Sequence, residues 1–183
     1  MSEIADYEAL CKRGEKVESQ IMKAFADCRL GDGIGLLESD ARDMCVDPEK
    51  PRLARAKDER EDWQKLSKND LYGCNSALSF TDALGFRFLV PAFMLGDLDG
   101  GMGEMIIIHL SLTKEDPYGK LSELNCAQLE AIIAFLELFL NDPDSNFHHP
   151  SIAESLDVFW RPLLQQRTQE TEQCAAGQPF PTS

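Results

Sequence analysis

The sequence predicts a mainly α-helical protein, a single domain of helices packed around a central apolar segment. Residues 74–98 form the longest nearly uninterrupted apolar segment, and amphipathic segments flank it on both sides. A segment this apolar is expected to be buried, with the flanking helices packed against it. A short β element, giving an α+β fold, is the alternative. We expect one globular domain over residues 1–165 and a disordered C-terminal tail over residues 166–183, which are polar and proline-containing.

Two helices are predicted in the N-terminal part of the chain. Apolar residues recur every three or four positions over residues 3–28, which is typical of an amphipathic helix. The glycine-rich segment 31–35 is interpreted as the turn that ends this helix, because it does not match the GxGxxG pattern of a phosphate-binding loop. Residues 34–46 are predicted to form a second helix, in which Glu38 and Arg42 are spaced for an i,i+4 ion pair.

The next segment, residues 52–66, is dense in charges of both signs. The pattern indicates a solvated helix or loop that Trp63 anchors to the core. A functional interpretation is also open, in which Asp58, Glu59 and Asp62 form an acidic surface that this tryptophan presents to a partner.

The central apolar segment is compatible with helices or with a β-hairpin. Asp82 is placed to cap one helix, and Pro91 is placed to open a second helical segment. The competing interpretation pairs strands over residues 77–81 and 86–90, which are rich in aromatic and β-branched residues. We favour the helices because of the aspartate cap and the apolar continuation after the proline.

The segments that follow are a loop and a third apolar stretch. Residues 97–104 are predicted to form a flexible loop, which lacks the ligand spacing of a calcium-binding loop. Residues 105–112 are apolar on both faces, so periodicity does not separate helix from strand. Their three consecutive isoleucines favour a strand.

Two helices are predicted in the C-terminal third. Residues 126–140 carry a broad apolar face, and Asn125 with Gln128 forms the pattern of a capping box before it. Pro150 stands at a favoured first position of a last helix, predicted over residues 150–164.

The composition restricts the class of partner. The chain has a net charge of −14, which argues against binding to nucleic acid or to an anionic membrane surface. The charge is compatible with a basic protein partner, but acidity alone also keeps a protein soluble and monomeric. No stretch reaches the roughly 18 apolar residues of a membrane span, and the acidic N-terminus lacks the apolar region of a secretory signal. The six cysteines are widely spaced without a CxxC pair, so we expect reduced thiols and a cytoplasmic protein.

No catalytic or metal-binding motif is present. The only histidines are His109, His148 and His149, and neither GxSxG nor HExxH occurs. Adjacent histidines do not easily converge on one ion. We therefore predict no metal site and no cofactor, and the sequence leaves open whether the chain is an enzyme.

The candidate ligand-binding residues are four carboxylates and one arginine, namely Glu38, Asp58, Asp62, Asp82 and Arg87. Arg87 is the only charge within residues 86–94, and an unpaired buried charge is costly. We expect Arg87 to pair with an acid from residues 38–62 and lock helices together. Alternatively, Arg87 faces a cleft and clamps an anionic ligand.

Several segments together resemble a known family, namely GIGLLESDARD (33–43), DEREDW (58–63), CNSALSFTDALGFRFLVPAFMLGDL (74–98), LNCAQLEAIIAFLELF (124–139) and SLDVFW (155–160). They resemble a bacterial family of about this length that is classed only as a domain of unknown function. The resemblance covers roughly residues 33–165, and its most specific part is the pattern SALSFxDAxGFRFxxPAF. Thr81 stands where the pattern has an aromatic residue, and Val90 precedes the proline. The resemblance implies a bacterial cytoplasmic protein and no established activity.

Three functions are compatible with these features. The preferred one is a small acidic interaction protein, resembling an immunity or inhibitor protein for a basic partner. The second is a hydrolase or anion-binding protein that uses carboxylates with Arg87 as anion clamp, which predicts a pocket where Glu38, Asp82 and Arg87 converge. The third is a structural subunit of a homo-oligomer.

Overall fold

The computed structural model describes residues 2–44, 47, 49–100, 105–116 and 118–175. All regular secondary structure in these ranges is helical, and they contain no strand. The predicted class, a mainly α domain of packed helices, is therefore confirmed, and the α+β alternative is not found in the described ranges.

The helices follow one another with short connections. In chain order they are α1 (Ser2–Ala24), α2 (Leu36–Asp43), α3 (Glu49–Arg55), a 3-10 turn (Trp63–Lys65), α4 (Lys68–Gly73), α5 (Ala77–Phe80), α6 (Ala83–Leu98), α7 (Met105–Ser111), α8 (Cys126–Leu140), a second 3-10 segment (Pro143–His148), α9 (His149–Ser155), a π-helical turn (Leu156–Trp160) and α10 (Arg161–Ala175). Helices were predicted at 3–28 and 34–46, so α1 and α2 end earlier than expected. Cys45 and Val46 lie outside the described residues.

Helix α6 is the buried centre of the domain. Most of its residues are inaccessible to solvent, and it packs against α1, α4, α5 and α7. Asp82 caps it as predicted, because its Oδ1 accepts a hydrogen bond from Gly85 N at 2.8 Å. Pro91 does not open a second segment but lies buried inside one continuous helix. Asp97, expected in a loop, also belongs to α6, whereas residues 101–104 of that loop lie outside the described ranges.

The strand predicted over residues 105–112 was wrong, because Met105–Ser111 is helix α7. Its three consecutive isoleucines occupy two environments, with Ile106 and Ile107 buried and Ile108 exposed. The carboxylate of Asp97, at the end of α6, accepts a hydrogen bond from Ile106 N at 3.0 Å. This cap comes from a distant residue, and tertiary contacts of this kind outweigh the modest strand propensity of isoleucine.

Helix α8 begins and ends where the sequence predicted. Asn125 Oδ1 accepts from Gln128 N at 2.9 Å, and Gln128 Oε1 accepts from Asn125 N at 3.1 Å, which completes the capping box. The Gln128 side chain also donates to Ala24 O and to the Cys28 thiol. This buried glutamine therefore ties the start of α8 to the end of α1.

The C-terminal helix continues further than the sequence indicated. A π-helical turn joins α9 to α10, and Pro162, which has no N–H to donate, lies directly after this irregular turn. Residues 166–175, assigned from the sequence to a disordered tail, are helical in the structure. Gln166 bonds to Glu170 across one helical turn, and no proline interrupts the segment. The remaining residues, 176–183, lie outside the described part.

Candidate functional site

The glycine-rich turn at residues 31–35 lies directly against the start of α6. Asp82 Oδ1, which caps α6, also accepts a hydrogen bond from Ile34 N at 3.0 Å. A Cβ atom on Gly33 would lie 2.7 Å from the Cβ of Leu84. One carboxylate therefore joins the turn to the central helix.

The carboxylate of Asp58 likewise accepts hydrogen bonds from backbone N–H groups, at the start of α2. Its two oxygens accept from Leu37 N at 2.7 Å and from Glu38 N at 3.3 Å. A Cβ atom on Gly35 would lie 2.3 Å from the Asp58 carboxyl carbon, so the close approach requires glycine. Burial raises the pKa of the Asp58 carboxyl, while the two backbone N–H groups act in the opposite direction.

Glu38 is a buried anion held between two arginines. The residue is 3% exposed, and its carboxylate lies 2.8 Å from Arg42 Nη2 and 2.8 Å from Arg55 Nη1. The predicted i,i+4 pair with Arg42 is thus confirmed. Arg55 also donates to the carbonyl oxygens of Asp32 and Gly33, so the ion pair fastens the glycine-rich turn as well.

The remaining acids of the charged segment also bond to the backbone. Glu59 Oε1 accepts from three successive N–H groups, and these bonds lower the pKa of the Glu59 carboxyl. Asp62 caps the 3-10 turn by accepting from Gln64 N at 3.1 Å. Trp63 is 1% exposed and donates to Phe25 O at 2.8 Å. The tryptophan therefore anchors this segment to the core, as the first interpretation of the sequence expected.

Arg87 has a different partner from the one expected. It pairs with Glu123, at 3.3 Å between Nη1 and Oε2, and not with an acid from residues 38–62. It lines a small polar pocket with Lys23, Asp27 and Gln128. The structure therefore brings Glu38, Asp58 and Asp82 together around the glycine-rich turn and gives Asp62 and Arg87 other neighbours.

A larger groove lies between α1 and the C-terminal ends of α6 and α8. Its volume is about 550 Å³. Its apolar surface is formed by Leu10, Leu98, Leu138 and Phe139, and its acidic lining by Glu15, Glu18, Asp97, Asp99, Asp142 and Asp144. The described lining contains no lysine, arginine or histidine. Sequence reasoning missed this site because its carboxylates come from three distant parts of the chain. Each part carries a pair of acids, at positions 15 and 18, 97 and 99, and 142 and 144, but no pair indicates by itself that the three parts meet.

Half of these carboxylates are already engaged. Asp97 caps α7, Asp99 pairs with Lys68 at 2.5 Å, and Asp142 accepts from Asp144 N at 3.0 Å. For Glu15, Glu18 and Asp144, the described part of the chain places no cation within ion-pair distance. The groove therefore keeps uncompensated negative charge beside an apolar surface.

The described ranges of the chain do not show the arrangement of side chains that a metal site or a membrane-spanning helix needs. Within these ranges, no three His, Cys, Asp or Glu side chains are placed to share a metal ion. None of the described helices combines the length and apolarity needed to cross a membrane. His109, between apolar neighbours, has a pKa of about 4, because burial and then the nearby Lys120 lower it.

Fold and groove together define a small helical protein with a concave acidic surface. The chain belongs to the family of unknown function DUF6714, whose sequence model matches residues 14–164. This confirms the resemblance to a family of unknown function that the sequence indicated. No curated protein and no solved structure gives a significant match.

Proposed function

We propose that this chain is a small acidic binding protein that takes a basic segment of a partner protein into the groove between α1, α6 and α8. An immunity or inhibitor protein would act in this way. One observation carries the proposal, namely that the described lining of the groove combines an apolar surface with six carboxylates and includes no basic residue.

Electrostatics favour such a partner. The chain has a net charge of −14, and a concave surface lined by one sign of charge concentrates the field of the whole molecule. This field attracts a cationic protein and speeds its association, and it repels nucleic acid and anionic membranes. The apolar surface of the groove can be buried against the partner, and this burial stabilises the complex once it has formed.

The hydrolase or anion-clamp alternative has less support. It requires Glu38, Asp82 and Arg87 to converge on one pocket. Glu38 is held by two arginines, Asp82 bonds to two backbone N–H groups, and Arg87 pairs with Glu123. Each of the three charged groups therefore already has a partner within the fold.

The location of the protein is part of the same proposal. The family resemblance in the sequence implies a bacterial cytoplasmic protein, and we propose that the chain binds its partner in the cytoplasm.

The test compares two charge-reversal variants of equal net charge. Glu15→Lys with Glu18→Lys alters the groove, and Glu115→Lys with Glu130→Lys alters exposed acids that do not line it. Tagged wild-type protein and both variants are incubated with lysate of the source organism and eluted with a salt gradient. We expect a basic protein that binds wild type and the control variant and is released by salt, but that the groove variant fails to retain.

Equal retention by both variants would overturn the groove as the binding site. Absence of any salt-released basic protein from all three samples would overturn the function. Circular dichroism of both variants checks that the fold is retained.

A further inference from the structure

A second pocket continues the acidic groove on the other side of Asp99. It has a volume of about 260 Å³ and lies between α1, the 3-10 turn, α4 and α6. Asp99 lines both cavities, so they are adjacent along the surface. The second pocket is lined mainly by apolar residues, including Met22, Leu66, Leu71, Ala92 and Leu95.

The two cavities differ in charge. Among the residues that the structure describes, those lining the acidic groove include no basic side chain, whereas those lining the second pocket include one lysine and one aspartate, Lys68 and Asp99. These two form an ion pair at 2.5 Å, at the point where the cavities meet. The second pocket therefore carries no net charge from its lining, and its remaining surface is suited to an apolar side chain.

We infer that the partner segment is amphipathic: its basic residues lie in the acidic groove while an adjacent apolar side chain enters this second pocket. The inference rests on the proposed function and deepens it by stating the partner's chemistry. Long-range charge accelerates encounter but distinguishes poorly between basic proteins. A few side chains buried in well-packed pockets carry most of the binding energy in typical interfaces, so we place the specificity of binding in the second pocket.

The geometry also restricts how far apart the basic and apolar residues of the partner segment can be. Since the cavities share Asp99 at their boundary, one segment must carry the basic cluster and the apolar anchor close together. A basic segment without apolar residues would occupy the acidic groove alone. It would bind weakly and lose its affinity steeply with salt.

The test uses two synthetic peptides as probes. Both have the same length and the same number of lysines, and one carries leucines where the other carries serines. Binding of the fluorescently labelled peptides is measured by anisotropy at low and moderate salt. We expect the leucine peptide to bind about tenfold or more tightly, the effect of burying one large apolar side chain.

Substitutions in the second pocket test whether the difference in affinity between the two peptides arises there. Leu66 and Leu95 are half-buried, so Leu66→Gln and Leu95→Gln are tested separately in case one of them unfolds. Either substitution should abolish most of the preference for the leucine peptide and leave the affinity for the serine peptide unchanged. The Glu15→Lys, Glu18→Lys variant should weaken both peptides.

The outcomes separate the two proposals. If both peptides bind with equal affinity, and the glutamine variants change neither, the apolar pocket is not part of the site and this inference fails while the proposed function stands. If neither peptide binds at low salt, the acidic groove does not recognise basic segments and the proposed function fails as well.

Discussion

A Cβ atom on Gly85 would lie 2.1 Å from the carbonyl oxygen of Ile34. The first turn of α6 and the glycine-rich turn are therefore in direct backbone contact. The same region holds the hydrogen bonds of Asp82 to Ile34 N and Gly85 N. The contact explains why a glycine stands inside the otherwise bulky start of the central helix.

Gly85→Ala should destabilise the protein by about 1–3 kcal/mol, the usual cost of overpacking. The atom in the way is a backbone oxygen, which does not move aside as a flexible side chain would. Gly14→Ala is the matched control, since its Cβ would meet nothing within 4 Å in the helix α1. There alanine should stabilise by about 0.5–1 kcal/mol.

Urea unfolding of both glycine variants checks this prediction. Opposite signs of the change in unfolding free energy are expected. A stability gain for Gly85→Ala would show that the two segments are not packed as closely as the structure places them.

The ion pair of Glu38 with Arg55 should contribute measurably to stability. We expect a coupling of about 1–2 kcal/mol in a double-mutant cycle of Glu38→Gln and Arg55→Gln. This lies below the loss for a fully buried pair, because the Arg55 side chain is 35% exposed. The exposed pair of Glu49 and Arg52, at 3.7 Å, is the control, and its coupling should be about 0–0.5 kcal/mol.

Unfolding free energies of the single and double variants give both couplings. Coupling energies that are equal for the two pairs would mean that burial of Glu38 adds nothing to its interaction with Arg55.

His109 should make stability depend on pH. Its pKa is about 4 in the folded protein against 6.5 as the ordinary value. Between pH 6.5 and pH 4 the unfolded chain therefore binds a proton that the folded chain does not. The unfolding free energy should consequently fall as the pH is lowered through this window.

His109→Gln should remove this contribution, so its stability curve should be flatter than that of wild type between the same two pH values. Urea titrations at several pH values measure both curves. Parallel curves would show that His109 does not stay neutral in the folded protein.

Local sequence signals predicted individual helices well. The capping box of Asn125 and Gln128 and the cap at Asp82 depend on residues three positions apart, so they are visible in the chain itself. The prediction failed for α7, whose cap, Asp97, lies nine residues before Ile106, the residue whose N–H it accepts. Residues 105–112 are apolar on every face, so their sequence has no hydrophobic periodicity that would distinguish a helix from a strand.

The candidate site was harder to predict than the fold. Sequence reasoning selected the carboxylates Glu38, Asp58 and Asp82, and the structure shows that each is bonded to arginines or backbone N–H groups. Arg87 was expected to need a partner, but Glu123, 36 positions away, was not foreseen. Buried charge alone does not reveal whether a side chain serves a ligand or the fold.

The sequence by itself determined the helical class, the central buried segment and the acidity of this protein, because periodicity, local capping and net charge are properties of neighbouring residues or of their sum. Only the tertiary structure decided which carboxylates have no cation within ion-pair distance among the described residues. It placed Glu15 of α1 and Asp144 of the second 3-10 segment, which are far apart in the chain, beside one apolar groove. Their proximity depends on how the helices pack, and no local pattern encodes that distance.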